Sequence, residues 1–180
     1  MCHKREVVLF IAASLDGYIA DEEETLKWLL ETEGDGDNGY GEFYDTVDTI
    51  LMGKRTYDWI MHYEKGDFPY RNKACFVFSR TFAGEKNEFV KFVNEETADF
   101  TKKLMQQAGK NIWLVGGREL LYHFLKEKLV DRFIITIAPA IIGKGIPLFS
   151  ETDIYMDLKL VNVRRFNQFV QLQYERKPQV

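Results

Sequence analysis

The chain has 180 residues, enough for one domain whose core needs no disulfide staples. Apolar residues make up 46%, aromatic residues 14% and charged residues 29%, which is globular usage and excludes a disordered tail, a collagen-like repeat and a heptad rod. Asp and Glu number 28 against 24 Lys and Arg, so a net charge of -4 argues against nucleic-acid binding while leaving room for one local cationic site.

Residues 6–12 form a continuous apolar run rich in β-branched side chains, which predicts a buried strand. Ser14-Leu15-Asp16-Gly17 is a turn signal. A short helix is predicted at 26–31, an acidic loop at 34–39, a helix at 43–47 and a strand at 49–52 that Gly53 ends. The next helix starts near Thr56, which is placed to cap it, and carries Tyr57, Ile60 and Met61 at helical spacing. Strands follow at 74–78 and, shorter, at 89–92. Residues 95–108 are amphipathic, with Phe100, Leu104 and Ala108 on one helical face and Gly109 as the stop. A strand at 111–115, a tight turn at Gly116-Gly117, a helix at 119–126 and a strand at 131–138 stopped by Pro139 come next. Residues 158–166 and 169–175 alternate around Asn167 as an antiparallel hairpin.

Strands that alternate with helices argue for parallel βαβ units. The expected fold is therefore a single α/β domain over residues 1–180, with a mixed, mainly parallel sheet between two helical layers and a C-terminal antiparallel hairpin. No signal peptide, sequon or membrane-length apolar run is present, so a cytoplasmic protein without a membrane partner is expected. Cys2 and Cys75 provide neither a disulfide framework nor zinc-ligand spacing, and His3, His62 and His123 show no metal spacing, so no metal is expected.

Several motifs mislead. Gly34-Asp35-Gly36-Asp37-Asn38-Gly39 matches G-x-G-x-x-G, but it follows a helix, and Asp35 and Asp37 would repel a pyrophosphate. Gly53-Lys54 is no Walker lysine, because Arg55 stands where Ser or Thr is required. No G-x-S-x-G elbow exists.

In open α/β sheets ligands sit beyond the carboxyl ends of the strands, here the turns after Ala12, Met52, Phe78 and Val115. Gly53-Lys54-Arg55-Thr56 places a glycine and two cations at a strand-to-helix turn, a local anion site whose plain alternative is a solvated basic turn. Val115-Gly116-Gly117-Arg118-Glu119-Leu120 repeats the pattern with room for a pyrophosphate against bare backbone, or is simply a tight turn. Ser79-Arg80 adds a hydroxyl and a cation at a third strand end. Three such ends suit an extended, multiply charged ligand such as a dinucleotide, and two cations beside one turn favour NADPH over NADH.

These blocks resemble the dihydrofolate reductase-like family, in the branch of the C-terminal reductase domain of the bifunctional riboflavin-biosynthesis protein. Ser14-Leu15-Asp16-Gly17-Tyr18-Ile19-Ala20 is similar to S-L-D-G-x-I-A, and Gly53-Lys54-Arg55-Thr56-Tyr57 to G-R-x-T-[WY]. Phe78-Ser79-Arg80 resembles the strand-end S-R, Val115-Gly116-Gly117 the Gly-Gly turn, and residues 139–149 the P-x-x-x-G-x-G-x-P-L-F block. The resemblance spans nearly the whole chain and implies an NADPH-dependent oxidoreductase, a small-molecule substrate and a homodimer. It implies cofactor contacts for Ala13, Ile19, Gly53, Lys54, Arg55, Thr56, Ser79, Arg80 and residues 115–120. Asp16 is the expected catalytic or loop-holding acid. Ser14, Trp28 and Phe149 are expected at the substrate pocket, with core packing as the alternative for Trp28 and Phe149. The branch carries Lys four residues before the Ser of S-L-D-G and Glu before Gly-Gly, where this chain has Phe10 and Val115. None of Asp37, Glu42 and Asp45 aligns with the dihydrofolate reductase acid without a gap. The expected activity is reduction of a pteridine- or pyrimidine-like heterocycle or a carbonyl compound. A non-catalytic nucleotide-binding module and a transferase acting on a phosphoribosyl compound are the alternatives.

Overall fold

A computed structural model of the chain describes residues 4–81 and 86–178, so Cys2 and His3 lie outside the described residues. The elements, in chain order, are β1 (Val7–Ser14), β2 (Tyr18–Ala20), α1 (Lys27–Leu30), α2 (Tyr40–Tyr44), β3 (Val47–Gly53) and α3 (Lys54–Tyr63). Then follow β4 (Ala74–Phe78), β5 (Lys91–Val93), α4 (Thr97–Met105), β6 (Asn111–Gly116) and α5 (Arg118–Lys126). The chain ends with β7 (Arg132–Ala138), β8 (Ile146–Pro147), β9 (Leu158–Phe166) and β10 (Phe169–Arg176).

Eight strands form one sheet in the order β5-β4-β3-β6-β1-β7-β10-β9, and β2 pairs with β8 separately. The first six strands of that order run parallel. The hairpin β9–β10 adds two antiparallel strands beyond β7, as its alternating pattern predicts. The apolar runs occupy the middle of the sheet because a strand flanked by strands and covered on both faces has no solvent side. Along β1, Val7, Leu9 and Ala13 join α4 and α5 through Ala98, Leu104, Leu120, Leu121 and Phe124. Val8 and Phe10 face the opposite layer, with Phe43 of α2 and Tyr57 and Ile60 of α3. The alternation of side chains across a strand thus builds two cores and three layers.

Several local expectations shift. Helix α2 starts earlier than predicted, because the Asp37 carboxylate accepts the backbone N–H of Gly39 (3.0 Å) and Gly41 (2.8 Å), while buried Val47 opens β3. Helix α3 starts at Lys54 with Gly53 as its N-cap, so Thr56 is not the cap. Helix α4 ends at Met105, short of Ala108. The strands β2 and β8 were not foreseen.

At the amino edge of the sheet, Arg5 is buried (3% exposed). Its guanidinium donates to Lys110 O (2.6 Å), Leu104 O (3.3 Å) and Thr49 Oγ1 (2.6 Å) and pairs with Asp48. It joins the start of β1 to β3, the end of α4 and the residue before β6.

Candidate active site

Strands β3 and β6 are neighbours, yet the helices that follow them leave on opposite faces: α3 buries Tyr57 and Ile60 in one core and α5 buries Leu120, Leu121 and Phe124 in the other. Such a divergence opens a crevice at the carboxyl edge. Gly53 caps α3 and Gly117 caps α5, and neither cap offers a side-chain hydrogen bond to the first backbone N–H groups. Helix α4, by contrast, is closed by its own Glu96, whose carboxylate accepts from Ala98 N (2.7 Å) and Asp99 N (3.1 Å).

The two uncapped turns touch. A Cβ built on Gly53 would lie 3.8 Å from Gly117 N and 4.0 Å from Gly116 O. One built on Gly117 would lie 2.9 Å from Thr56 Oγ1, so the third residue of α3 faces the turn before α5. Gly116 has φ 129°, a region that side chains rarely enter, and the Gly116–Gly117 peptide is cis. Two helix starts without side-chain caps and two positive dipole ends converge here, which favours an anion. Lys54 and Arg55 stand in the first turn of α3, where each cation opposes the dipole by about 0.3–1 kcal/mol. Lys54 meets Asp58 at 2.6 Å and Arg55 pairs with Glu24, so part of that cost is offset.

A cleft of about 1100 Å³ runs along this edge. Ser79, Arg80 and Thr81 line one end, beyond β4, with Asn94 and Thr97 beyond β5. Gly53, Lys54, Arg55, Thr56 and residues 117–120 line the middle. Phe10, Ile11, Ala12, Ile19, Val115 and Ile146 line the part above β1 and β6. Three of the four turns singled out from the sequence, those after Met52, Phe78 and Val115, therefore meet one cleft, while β1 reaches it through Ile11 and Ala12 and not through the turn that follows.

The remaining predicted residues sit just outside it. Asp16 is exposed, and its carboxylate accepts from Ser14 Oγ (2.7 Å), Gly143 N (2.7 Å) and Ile142 N (3.2 Å). The Ser14 hydroxyl foremost, then these amides, hold its carboxyl below the usual aspartate value. Buried Ser14 in turn accepts from Tyr18 N (2.9 Å). These two residues fasten the β1–β2 turn to the 140s loop rather than lining the cleft. Ala13 is buried beside the lining residue Ala12. Trp28 packs on Ala138, Phe166 and Phe169, with its indole N–H buried and unpaired, while its neighbours Leu26 and Leu29 line the cleft. Phe149 lines a separate hollow of about 200 Å³ with Tyr122, Leu125 and Ile154. Glu42 pairs with Arg164, and neither it nor Asp37 nor Asp45 lines the cleft.

Sequence reasoning missed several lining residues. His123 lies four residues after Glu119 and Trp59 four after Arg55, so helical spacing from the recognised positions points to both. Trp59 Nε1 donates to Glu24 O (3.1 Å). Trp113 and Phe10 come from adjacent strands, and the Trp113 indole N–H donates to Phe10 O (3.1 Å). Phe10 stacks on Phe43 at 4.1 Å between ring centres. Behind them, burial pushes the Tyr40 phenol up to about 12, the Cys75 thiol up to about 12 and the Tyr70 phenol higher, so all three stay neutral at ordinary pH.

A mainly parallel sheet, a terminal hairpin and a glycine-lined cleft at the carboxyl edge define the reductase-type fold of the dihydrofolate reductase-like class. The chain belongs to the RibD C-terminal domain family, which matches residues 5–172. It is 46% identical over 173 residues to the Bacillus subtilis (strain 168) uncharacterized protein YwjB, covering 96% of this chain and 99% of that protein. It is 34% identical to YyaP of the same organism, covering 93% and 92% of the two chains. Among solved structures it is similar to a putative riboflavin biosynthesis protein from Shewanella sp. PV-4, with TM-score 0.86, 31% identity and coverage of 96% and 99%. It shares its fold with the Thermotoga maritima diaminohydroxyphosphoribosylaminopyrimidine deaminase/5-amino-6-(5-phosphoribosylamino)uracil reductase, with TM-score 0.70 and 18% identity, covering 97% of this chain and 57% of that one. Among the described residues no helix is long and apolar enough to cross a membrane.

Proposed function

We propose that the protein is an NADPH-dependent reductase of a small heterocyclic or carbonyl compound. The observation that carries this reading is the contact between the Gly53 and Gly117 turns, where two helices without side-chain caps meet beside Lys54 and Arg55. A pyrophosphate fits that junction, because bare backbone lets it approach and the helix N–H groups receive its charge. Lys54 and Arg55 would hold the additional phosphate that separates NADPH from NADH, and Ser79 and Arg80 would flank the adenosine end. NADPH, when bound, supplies the hydride. The chain supplies position and a water-poor wall: Ile11, Ala12 and Ile19 are apolar and lie where β1 meets the cleft. Asp16 is a positioning residue in this reading, acting through the loop that it holds. Membership in the RibD C-terminal domain family supports the reductase class.

Calorimetric titration with NADPH, NADH and ribose 5-phosphate tests the proposal. NADPH is expected to bind at least about tenfold more tightly than the other two. Equal affinity for NADPH and ribose 5-phosphate would favour a phosphoribosyl-binding protein instead.

A further inference from the structure

The cleft divides by charge along the strand order. Lys54, Arg55, Arg80 and Arg118 all follow β3, β4 or β6. The part above β1 is walled by Phe10, Ile11, Leu26, Leu29, Trp113 and Val115, and Arg55, which reaches its border, is already paired with Glu24. Its polar groups are already engaged. The Trp113 indole N–H is spent on Phe10 O, that of Trp59 on Glu24 O, and the Glu24 carboxylate on Arg55. The Phe10 ring is held in a fixed orientation, stacked on Phe43 (4.1 Å, 7° between planes) and edge-on to Trp113 (6.2 Å, 89°).

We infer that this apolar half is the acceptor subsite and that it takes an uncharged, flat, aromatic or conjugated molecule without a phosphate. The inference rests on the reading above, in which the cationic half holds the cofactor. A rigid aromatic wall favours a flat ring through apolar burial at about 25 cal/mol per Å² and through ring–ring contact. A phosphate placed there would find both indole N–H groups already donating, Trp113 to Phe10 O and Trp59 to Glu24 O, and would face apolar side chains instead of cations of its own. Specificity therefore comes from what the wall cannot pair as much as from what it covers.

The test is calorimetric titration of the full chain saturated with NADP⁺, using quinazolin-4-one as a neutral flat probe and uridine 5′-monophosphate as an anionic phosphoribosyl probe. Quinazolin-4-one is expected to bind about tenfold or more tightly than the nucleotide. Phe10→Lys is expected to reverse that order. Phe10→Leu keeps an apolar wall and serves as a less disruptive variant: it should weaken quinazolin-4-one severalfold without admitting the nucleotide. Tighter binding of the nucleotide by the NADP⁺-saturated protein, or affinities that neither Phe10 variant moves, would overturn the subsite alone. Failure of NADP⁺ to bind would overturn the cofactor reading and this inference with it.

Discussion

Replacing Lys54 and Arg55 together by Ala separates a ligand-binding role from a structural one. A hydrogen bond to a charged group contributes about 1.5–3 kcal/mol, and the lower end applies because the Arg55 side chain is 80% exposed and that of Lys54 30% exposed. Two contacts to the extra phosphate then amount to about 3 kcal/mol, or roughly 100-fold in NADPH affinity. NADH lacks that phosphate and should lose less than about threefold. Folding should respond differently. Removing two cations from the first turn of α3 relieves about 0.3–1 kcal/mol each, while the lost Lys54–Asp58 and Arg55–Glu24 pairs cost a similar amount. The net change is within about 1 kcal/mol, a shift of Tm below about 4 °C for a chain of this size. Titration calorimetry with both cofactors and a thermal melt read the two sides. Equal losses for NADPH and NADH would refute the assignment of the cations to the extra phosphate. A large fall in Tm would show that the pair is structural.

Three further predictions follow from particular contacts. Arg5→Ala removes a buried cation and leaves Leu104 O and Lys110 O without that donor, while the partly exposed Asp48 keeps Lys110 N and the Thr49 hydroxyl, so a loss of about 1–3 kcal/mol is expected in urea unfolding, and a change below about 0.5 kcal/mol would contradict the network. Asp16→Asn should lower stability at neutral pH. The folded-state pKa of Asp16 is depressed, so its contribution is complete above the ordinary aspartate range and fades as pH falls through the lowered folded value; wild type and variant should therefore converge in acid, and a difference that grows on acidification would oppose this. Gly145→Ala would put a Cβ 2.1 Å from Ala20 O at φ +148°, forcing β2 and β8 apart; NADPH binding should weaken and Tm should fall, whereas unchanged binding would show that this pair does not shape the cleft.

The fold was legible where burial leaves a compositional mark. β1, β4, β6 and β7 are inner or near-inner strands, and their continuous apolar runs give them away. The hairpin β9–β10 is recognisable from its alternating sequence, although burial alternates only at the start of β10, where Phe169 and Gln171 are buried and Val170 is exposed, while residues 159–163 of β9 are exposed on both faces. β2 and β8 leave no such mark. They have three and two residues, and each exists only because the 140s loop returns over Tyr18–Ala20. Helix starts were set by capping that composition does not rank: Gly53 rather than Thr56 for α3, and Asp37 ahead of α2.

In the candidate site the glycine turns were legible because few other residues allow such close backbone approach. The wall contributed by α1 and its N-cap was not, since the direction of a side chain on a four-residue helix depends on tertiary packing. Leu26 and Leu29 turn into the cleft while Trp28 turns away onto Phe166 and Phe169. Phe149 likewise follows its own loop into a separate hollow.

The function of the cleft turns on where a phosphorylated nicotinamide carrier lies. A crystal structure of the protein with NADPH measures this directly. The pyrophosphate is expected between the starts of α3 and α5, the extra phosphate at Lys54 and Arg55, and the nicotinamide above β1. A cofactor found away from the Gly53–Gly117 junction would contradict the central claim.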